Sequence, residues 1–177
     1  MMGREIRRVP PNWKHPKRTC CHIPNCENYE CYQPLYDETY EVSAQEWIGE
    51  FEKWQRGERP DYFSEGDSEY YWDWNGKPPN KLFYRDYKDE DATWYQVYET
   101  VSEGTPVTPP FETEDELIDY LVINGDFWYQ KDQIDNIKNS HRTKPTRKAA
   151  ENFVKGKYAP SMQIENGIIK TDINCCE

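Results

Sequence analysis

The chain has 177 residues, of which 36% are hydrophobic and 31% charged, with a formal net charge of −11. That length suits one domain with a real core, and seven Trp, 14 Tyr and six Phe exclude the aromatic-poor composition of disordered chains. No stretch is apolar for long enough to cross a bilayer.

Residues 4–9 read as a short edge strand ended by Pro10-Pro11. Residues 12–36, with Pro16, Pro24, Pro34 and four of the six Cys, read as irregular. A helix is expected over 43–56, capped by Ser43 with Glu46 in a capping box and stopped by Gly57 and Pro60. Trp47, Ile48, Phe51 and Trp54 fall on one face of it. Residues 58–92 are rich in loop signals, and Tyr70 to Trp74 reads as a short strand. Residues 93–99, Thr-Trp-Tyr-Gln-Val-Tyr-Glu, have strand composition on both faces, which predicts a central position in a sheet. After a turn-rich stretch over 102–110, Thr113 and Glu116 form a second capping box, Leu117, Ile118, Tyr120 and Leu121 supply the apolar face, and Asn124-Gly125 the stop. A third helix is expected over 146–155, capped by Thr146 with Ala149, Ala150, Phe153 and Val154 inward. A hairpin closes the series, Met162 to Glu165 and Ile168 to Asp172 around Asn166-Gly167, which suits a type I′ turn. The sum is a single α+β domain: a small, mostly antiparallel sheet, two or three helices and long loops.

Charge is sorted along this chain. Residues 1–18 carry six bases against one acid, residues 37–135 carry 26 acids against eight bases, and residues 138–157 carry seven bases against one acid. The organisation follows: a basic, Cys-containing arm over 1–36, an acidic aromatic region over 37–135, and a basic helix with hairpin over 136–177, the last part of the same domain. The simplest account of the basic ends is that they pack on the acidic centre. The other account is nucleic-acid binding, with Arg4, Arg7, Arg8, Lys14, Lys17 and Arg18 tracking phosphates and Trp13 stacking, and Lys144, Arg147 and Lys148 doing likewise.

Met1 to Arg8 has no apolar run behind its basic start, which speaks against a secretory signal and for a cytoplasmic location where thiols stay reduced. Cys21, His22, Cys26 and Cys31 offer soft ligands for zinc, but no C-x2-C pair organises them, so free thiols are the plainer reading. No cofactor is expected beyond that zinc option. His15, His22 and His141 have no nucleophile placed beside them by the surrounding sequence and read as surface or capping residues. No phosphate-binding glycine loop is present. Glu65, Asp67, Glu69 and Asp73 lie among Tyr70, Tyr71, Trp72 and Trp74, and these eight residues are the candidate partner-binding patch. Acids there can imitate DNA phosphates and the aromatic rings can anchor an interface. Trp47, Trp54, Trp94 and Tyr98 are assigned to the core.

Three phrases carry a resemblance. They are Gly3-Arg4-Glu5-Ile6-Arg7-Arg8-Val9-Pro10-Pro11-Asn12-Trp13 followed by His15-Pro16; Tyr32-Gln33-Pro34-Leu35-Tyr36-Asp37; and Thr93 to Glu99 running through Ser102-Glu103-Gly104-Thr105-Pro106-Val107-Thr108-Pro109-Pro110-Phe111 to Gly125-Asp126-Phe127-Trp128. Together they resemble a family of small bacteriophage and prophage proteins. The resemblance transfers no catalytic residue. It implies a setting, the cytoplasm of an infected bacterium. With the sorted charge, it leads to the expectation of a non-enzymatic protein that binds a bacterial host protein, such as an anti-CRISPR or DNA-mimic inhibitor of a defence system. Two other readings stay open. One is a nucleotide or small-ligand binder, or an enzyme, with an aromatic cleft beside the 93–99 strand and the 102–111 loop, holding one or two acids. The other is a zinc-stabilised nucleic-acid binder.

Overall fold

Strand β1 (Arg4–Val9) alternates its side chains between two covered faces, and this alternation organises the sheet. The structure is a computed structural model that describes residues 3–18, 32–64, 66, 68–100, 104–138, 140, 142–160, 162–165 and 168–176. After β1 come β2 (Tyr36–Thr39), α1 (Tyr40–Gln55), a one-turn α2 (Tyr71–Trp74), β3 (Tyr84–Arg85), β4 (Trp94–Glu99) and β5 (Thr105–Pro106). Then follow α3 (Glu114–Asn124), α4 (Phe127–Ile134), α5 (Arg147–Gly156), β6 (Tyr158–Ala159), β7 (Met162–Glu165), β8 (Ile168–Thr171) and a 3-10 turn, Asp172–Cys176. The fold is mixed α+β, as expected. Two compact units are present, Leu35–Asp86 and the remainder on either side of it, with bounds that differ from those of the charge blocks.

In the larger unit the sheet order is β5-β4-β1-β6, antiparallel throughout. β4 is central, as its two-faced composition predicts. β1 is not the edge strand its polar sequence suggests: β4 and β6 flank it, because its arginines find partners within the fold. The register pairs Arg4 with Glu99, Ile6 with Val97 and Arg8 with Tyr95, which places these six side chains on one face. Against that face pack α3 and α5 through Leu117, Ile118, Leu121, Ala150, Phe153 and Val154, all buried around Val97 and Val107. Burial of such side chains contributes roughly 1.5–3 kcal/mol each. The other face carries Arg7, Gln96 and Tyr98, with the Arg7 guanidinium 4.7 Å from the Tyr98 ring centre.

Local chemistry sets the helix ends. Thr113 and Glu116 form the expected capping box, and Thr146 accepts from the Ala149 N–H at 3.1 Å. Gly125 ends α3 at φ 72°, where a Cβ would stand 2.6 Å from Tyr129. Helix α4, absent from the expected elements, starts one residue later, with the Asp126 carboxylate accepting from Tyr129 N–H at 2.9 Å. The other oxygen of Asp126 accepts from Arg4 Nε at 2.8 Å, and Glu99 lies 3.8 Å from the same guanidinium. Arg4 is 1% exposed, so β1 is fastened to the cap of α4 by a buried charge pair.

In the smaller unit α1 begins a turn before the expected Ser43. Thr39 stands at the cap, and Ser43 lies buried inside the helix, donating to Glu38. Ile48 is half-exposed rather than packed, and Trp47 is only partly covered, whereas Trp54 is buried. β2 and β3 pair in parallel, Tyr36 opposite Tyr84. The Tyr70-to-Trp74 segment is a helical turn, not a strand. The last hairpin pairs Met162 with Thr171 and Glu165 with Ile168, and its Asn166-Gly167 turn lies outside the described residues.

Replacing Arg4 by Ala leaves two buried carboxylates without that cation, and the expected cost is roughly 3–5 kcal/mol of unfolding free energy, read by urea titration. Gly125→Ala must move the Tyr129 ring and adopt a left-handed backbone, and should cost about 1–3 kcal/mol in the same measurement.

Candidate functional site

The predicted acidic aromatic patch is only partly a surface. Tyr70 and Trp72 are each 46% exposed and stack at 5.0 Å with 7° between planes, flanked by the exposed carboxylates of Glu69 and Asp73. Tyr71, expected in the exposed patch, is 4% exposed, and Trp74 is half-buried. The reason is α2: one helical turn sends residues 70 and 72 outward and draws 71 and 74 in. Glu65 and Asp67 lie outside the described residues.

The buried half of the patch is the wall of a cleft of about 370 Å3 within the 35–86 unit. Trp54, Tyr62, Tyr71 and Trp74 supply the rings, and Glu50 and Glu58 the carboxylates. Trp54 and Trp74 are stacked at 6.4 Å, Trp74 also meets Tyr62 at 5.7 Å, and Tyr71 stands edge-on to Trp47 at 5.1 Å. Asn75 donates to the Tyr71 hydroxyl. Burial, with Glu50 nearby, raises the Tyr71 pKa, so the phenol stays protonated at neutral pH. A cation already sits in the cleft. The Arg59 guanidinium lies 3.7 Å over the Trp54 ring and donates to the Trp54 carbonyl at 2.6 Å. Glu50 accepts from Lys53 at 2.5 Å and Glu58 from Arg56 at 2.8 Å, both exposed pairs of low individual worth. Lys53 lines the cleft as well, so two carboxylates and two cations share it among the rings; an indole face that holds a guanidinium shows that aromatic walls here accept a cation.

Several residues of the basic segments are engaged within the fold. Besides Arg4, Arg7 pairs with Glu5 at 2.5 Å, and Arg8 lies 4.0 Å over Tyr95 and donates to the Thr93 carbonyl at 2.9 Å. Lys144 donates to the Ile123 carbonyl at 3.1 Å and Arg147 to Asp119 at 2.5 Å. Three arginines of the phosphate-tracking arm, Arg4, Arg7 and Arg8, thus serve the sheet. Cys21, His22, Cys26 and Cys31 lie outside the described residues, and no group of His, Cys, Asp or Glu with metal-binding geometry occurs among those described.

His15, read as a surface residue, is buried in the larger unit. Its Nε2–H donates to the Gln33 carbonyl at 2.6 Å, and Nδ1 faces the Tyr98 hydroxyl at 3.3 Å. That hydroxyl donates to Gln96 Oε1 at 2.8 Å, and Gln96 Nε2 donates to the Thr108 carbonyl at 2.7 Å. Desolvation, aided by Arg7 and opposed by the bond to Gln33, brings the His15 pKa from 6.5 to about 4. No signal in the sequence marks this network, because its members are scattered along the chain, His15 and Tyr98 alone standing 83 positions apart.

No family model matches the chain, and neither the curated proteins nor the solved structures contain a match. No helix among the described residues is long and apolar enough to cross a membrane.

The neutral His15 makes stability depend on pH. Above about pH 6.5 it is neutral folded and unfolded; between about 6.5 and 4 the unfolded chain takes up a proton that the folded one refuses, so stability falls as pH falls, by about 3 kcal/mol at most. Urea titrations at about pH 7 and about pH 4.5 should show this loss, and His15→Gln should lose its part of it.

Proposed function

We propose that this is a non-enzymatic binding protein whose 35–86 unit takes a basic segment of a partner protein into the Trp54–Trp74 cleft. The observation that carries the reading is the Arg59 guanidinium seated on Trp54 in a cleft where Glu50, Glu58 and Lys53 stand among the rings. An incoming Lys or Arg would use the rings beside that pair, Tyr62 and Trp74, each cation–π contact adding about 0.5–2 kcal/mol. The unit holds 13 acids against six bases, so its field attracts such a segment before contact. The exposed Tyr70–Trp72 stack, with Glu69 and Asp73, offers a second anchor on the same unit.

The resemblance to phage proteins supplies the setting for this proposal. The partner is a protein of the bacterial host, and a nucleic-acid-binding one fits the charge best, because its binding channel is basic. A CRISPR effector or another defence protein belongs to that class.

A synthetic peptide rich in Arg and Lys and its Asp/Glu counterpart, titrated calorimetrically, test the charge logic. The basic peptide should bind saturably at about 50 mM salt and weaken steeply on going to about 500 mM. Tyr62→Ala, at a ring 76% exposed on the cleft wall, should weaken binding by about tenfold with the circular dichroism unchanged. Equal affinity for the acidic peptide, or indifference to Tyr62→Ala, sinks the proposal.

A further inference from the structure

A second cleft, of about 470 Å3, lies in the larger unit beside β4 and the Pro106–Pro110 turn. Trp13, His15, Tyr32, Tyr120 and Phe127 give it ring-bearing walls. Among the described residues its charged lining side chains are Lys14 and Lys17, and no acid lines it. On a chain of net charge −11 this is a reversal of the overall sign. A concavity that gathers cations against the molecule's own field selects an anion.

The neutral polar groups point the same way. Tyr120 accepts at its hydroxyl from Gln130 at 3.0 Å, which leaves the hydroxyl hydrogen to donate. Thr108 Oγ1 accepts from the Val97 N–H at 3.1 Å, with the same consequence. The rings supply the apolar half of a recognition site. Phe127 is 46% exposed although it opens α4 beside buried residues. Trp13 is held edge-on to Tyr87 at 4.8 Å, and His15 edge-on to Tyr32 at 5.5 Å, so these walls are pre-set rather than assembled on binding. His15 stays neutral down to about pH 4 and adds no charge of its own at neutral pH.

We infer that this cleft binds a nucleotide, its base against the rings of Trp13, Tyr32 and Phe127 and its phosphate on Lys14 and Lys17. The size lies within the usual range for small-ligand clefts, and base stacking with Lys-bound phosphate is a common division of labour. A free mononucleotide and the 5′-phosphorylated end of a single strand share this chemistry. The inference is independent of the basic-segment cleft, since it uses residues of the other unit.

Isothermal titration at about 50 mM salt, with AMP, GMP, adenosine, ribose 5-phosphate and a 5′-phosphorylated thymidine hexanucleotide as probes, tests it. AMP and GMP should bind saturably, and adenosine and ribose 5-phosphate should each bind at least about tenfold more weakly, since each lacks one half of the recognition. The exposed variant Lys14→Ala should lose about tenfold in AMP affinity with its urea midpoint unchanged, and Phe127→Ala should do the same. A hexanucleotide that binds more tightly than AMP supports the site and names strand ends as the source. Equal or weaker hexanucleotide binding supports it and names the free nucleotide. Absence of saturable AMP and GMP binding, equal affinity for adenosine and AMP, or full affinity in the folded Lys14→Ala variant overturns it.

Discussion

One guanidinium, that of Arg4, is the interaction on which the larger unit depends. It stands on the helix-covered face of β1 with the Glu99 carboxylate opposite it and the Asp126 carboxylate against it. Asp126 is also the N-cap of α4, so the same side chain closes the sheet and starts a helix. A buried charge trio of this kind adds little net stability over an apolar equivalent, but it tolerates few alternative registers. A one-residue slip of β1 would turn Arg4 to the other face and strand both acids. The basic segment at the start of the sequence is thus a register device. Arg7 and Arg8 are engaged by Glu5 and the Tyr95 ring, and Arg147 pairs with Asp119 at the surface.

The two clefts differ in the charged side chains that line them. The 35–86 unit keeps its carboxylates beside indole and phenol rings, with one arginine already stacked there. The cleft of the larger unit has two lysines beside its rings and, among the described residues, no acid. Aromatic content alone would not separate the two, because Trp and Tyr line both. Charge does: Lys14 and Lys17 are the charged residues described in the one, while Glu50, Glu58, Lys53 and Arg59 share the other.

Features set by neighbours in the chain were readable in advance. The Thr113–Glu116 box, the Thr146 cap, the Gly125 stop and the strand pairing of the last hairpin each depend on a few adjacent residues. The expected cleft beside the 93–99 strand is present too, though lysines line it rather than acids. What was misjudged depends on distant contacts. Ser43 has a capping pattern, but its hydroxyl serves Glu38, and the helix runs back to Tyr40. Helix α4 has only the Gly125-Asp126 pair to announce it. Tyr71 reads like its exposed neighbours until one helical turn places it against Trp47 and Trp54. His15 gives no hint of burial, since Gln33 and Tyr98 come from elsewhere in the chain.

The parallel pairing of β2 with β3 has a consequence for how such a chain can change. These strands are the first and last elements of the 35–86 unit, and Tyr36 is laid beside Tyr84. Adjacent strands lie about 4.8 Å apart and a residue advances about 3.3 Å, so entry and exit are within roughly 10 Å of each other. A segment whose ends meet so closely behaves as a cassette: it can lengthen, shorten or be exchanged whole while the flanking backbone keeps its own path. Its acidic aromatic face can therefore diversify at a pace of its own, free of the packing demands that hold Arg4, Val97 and Phe153 in place.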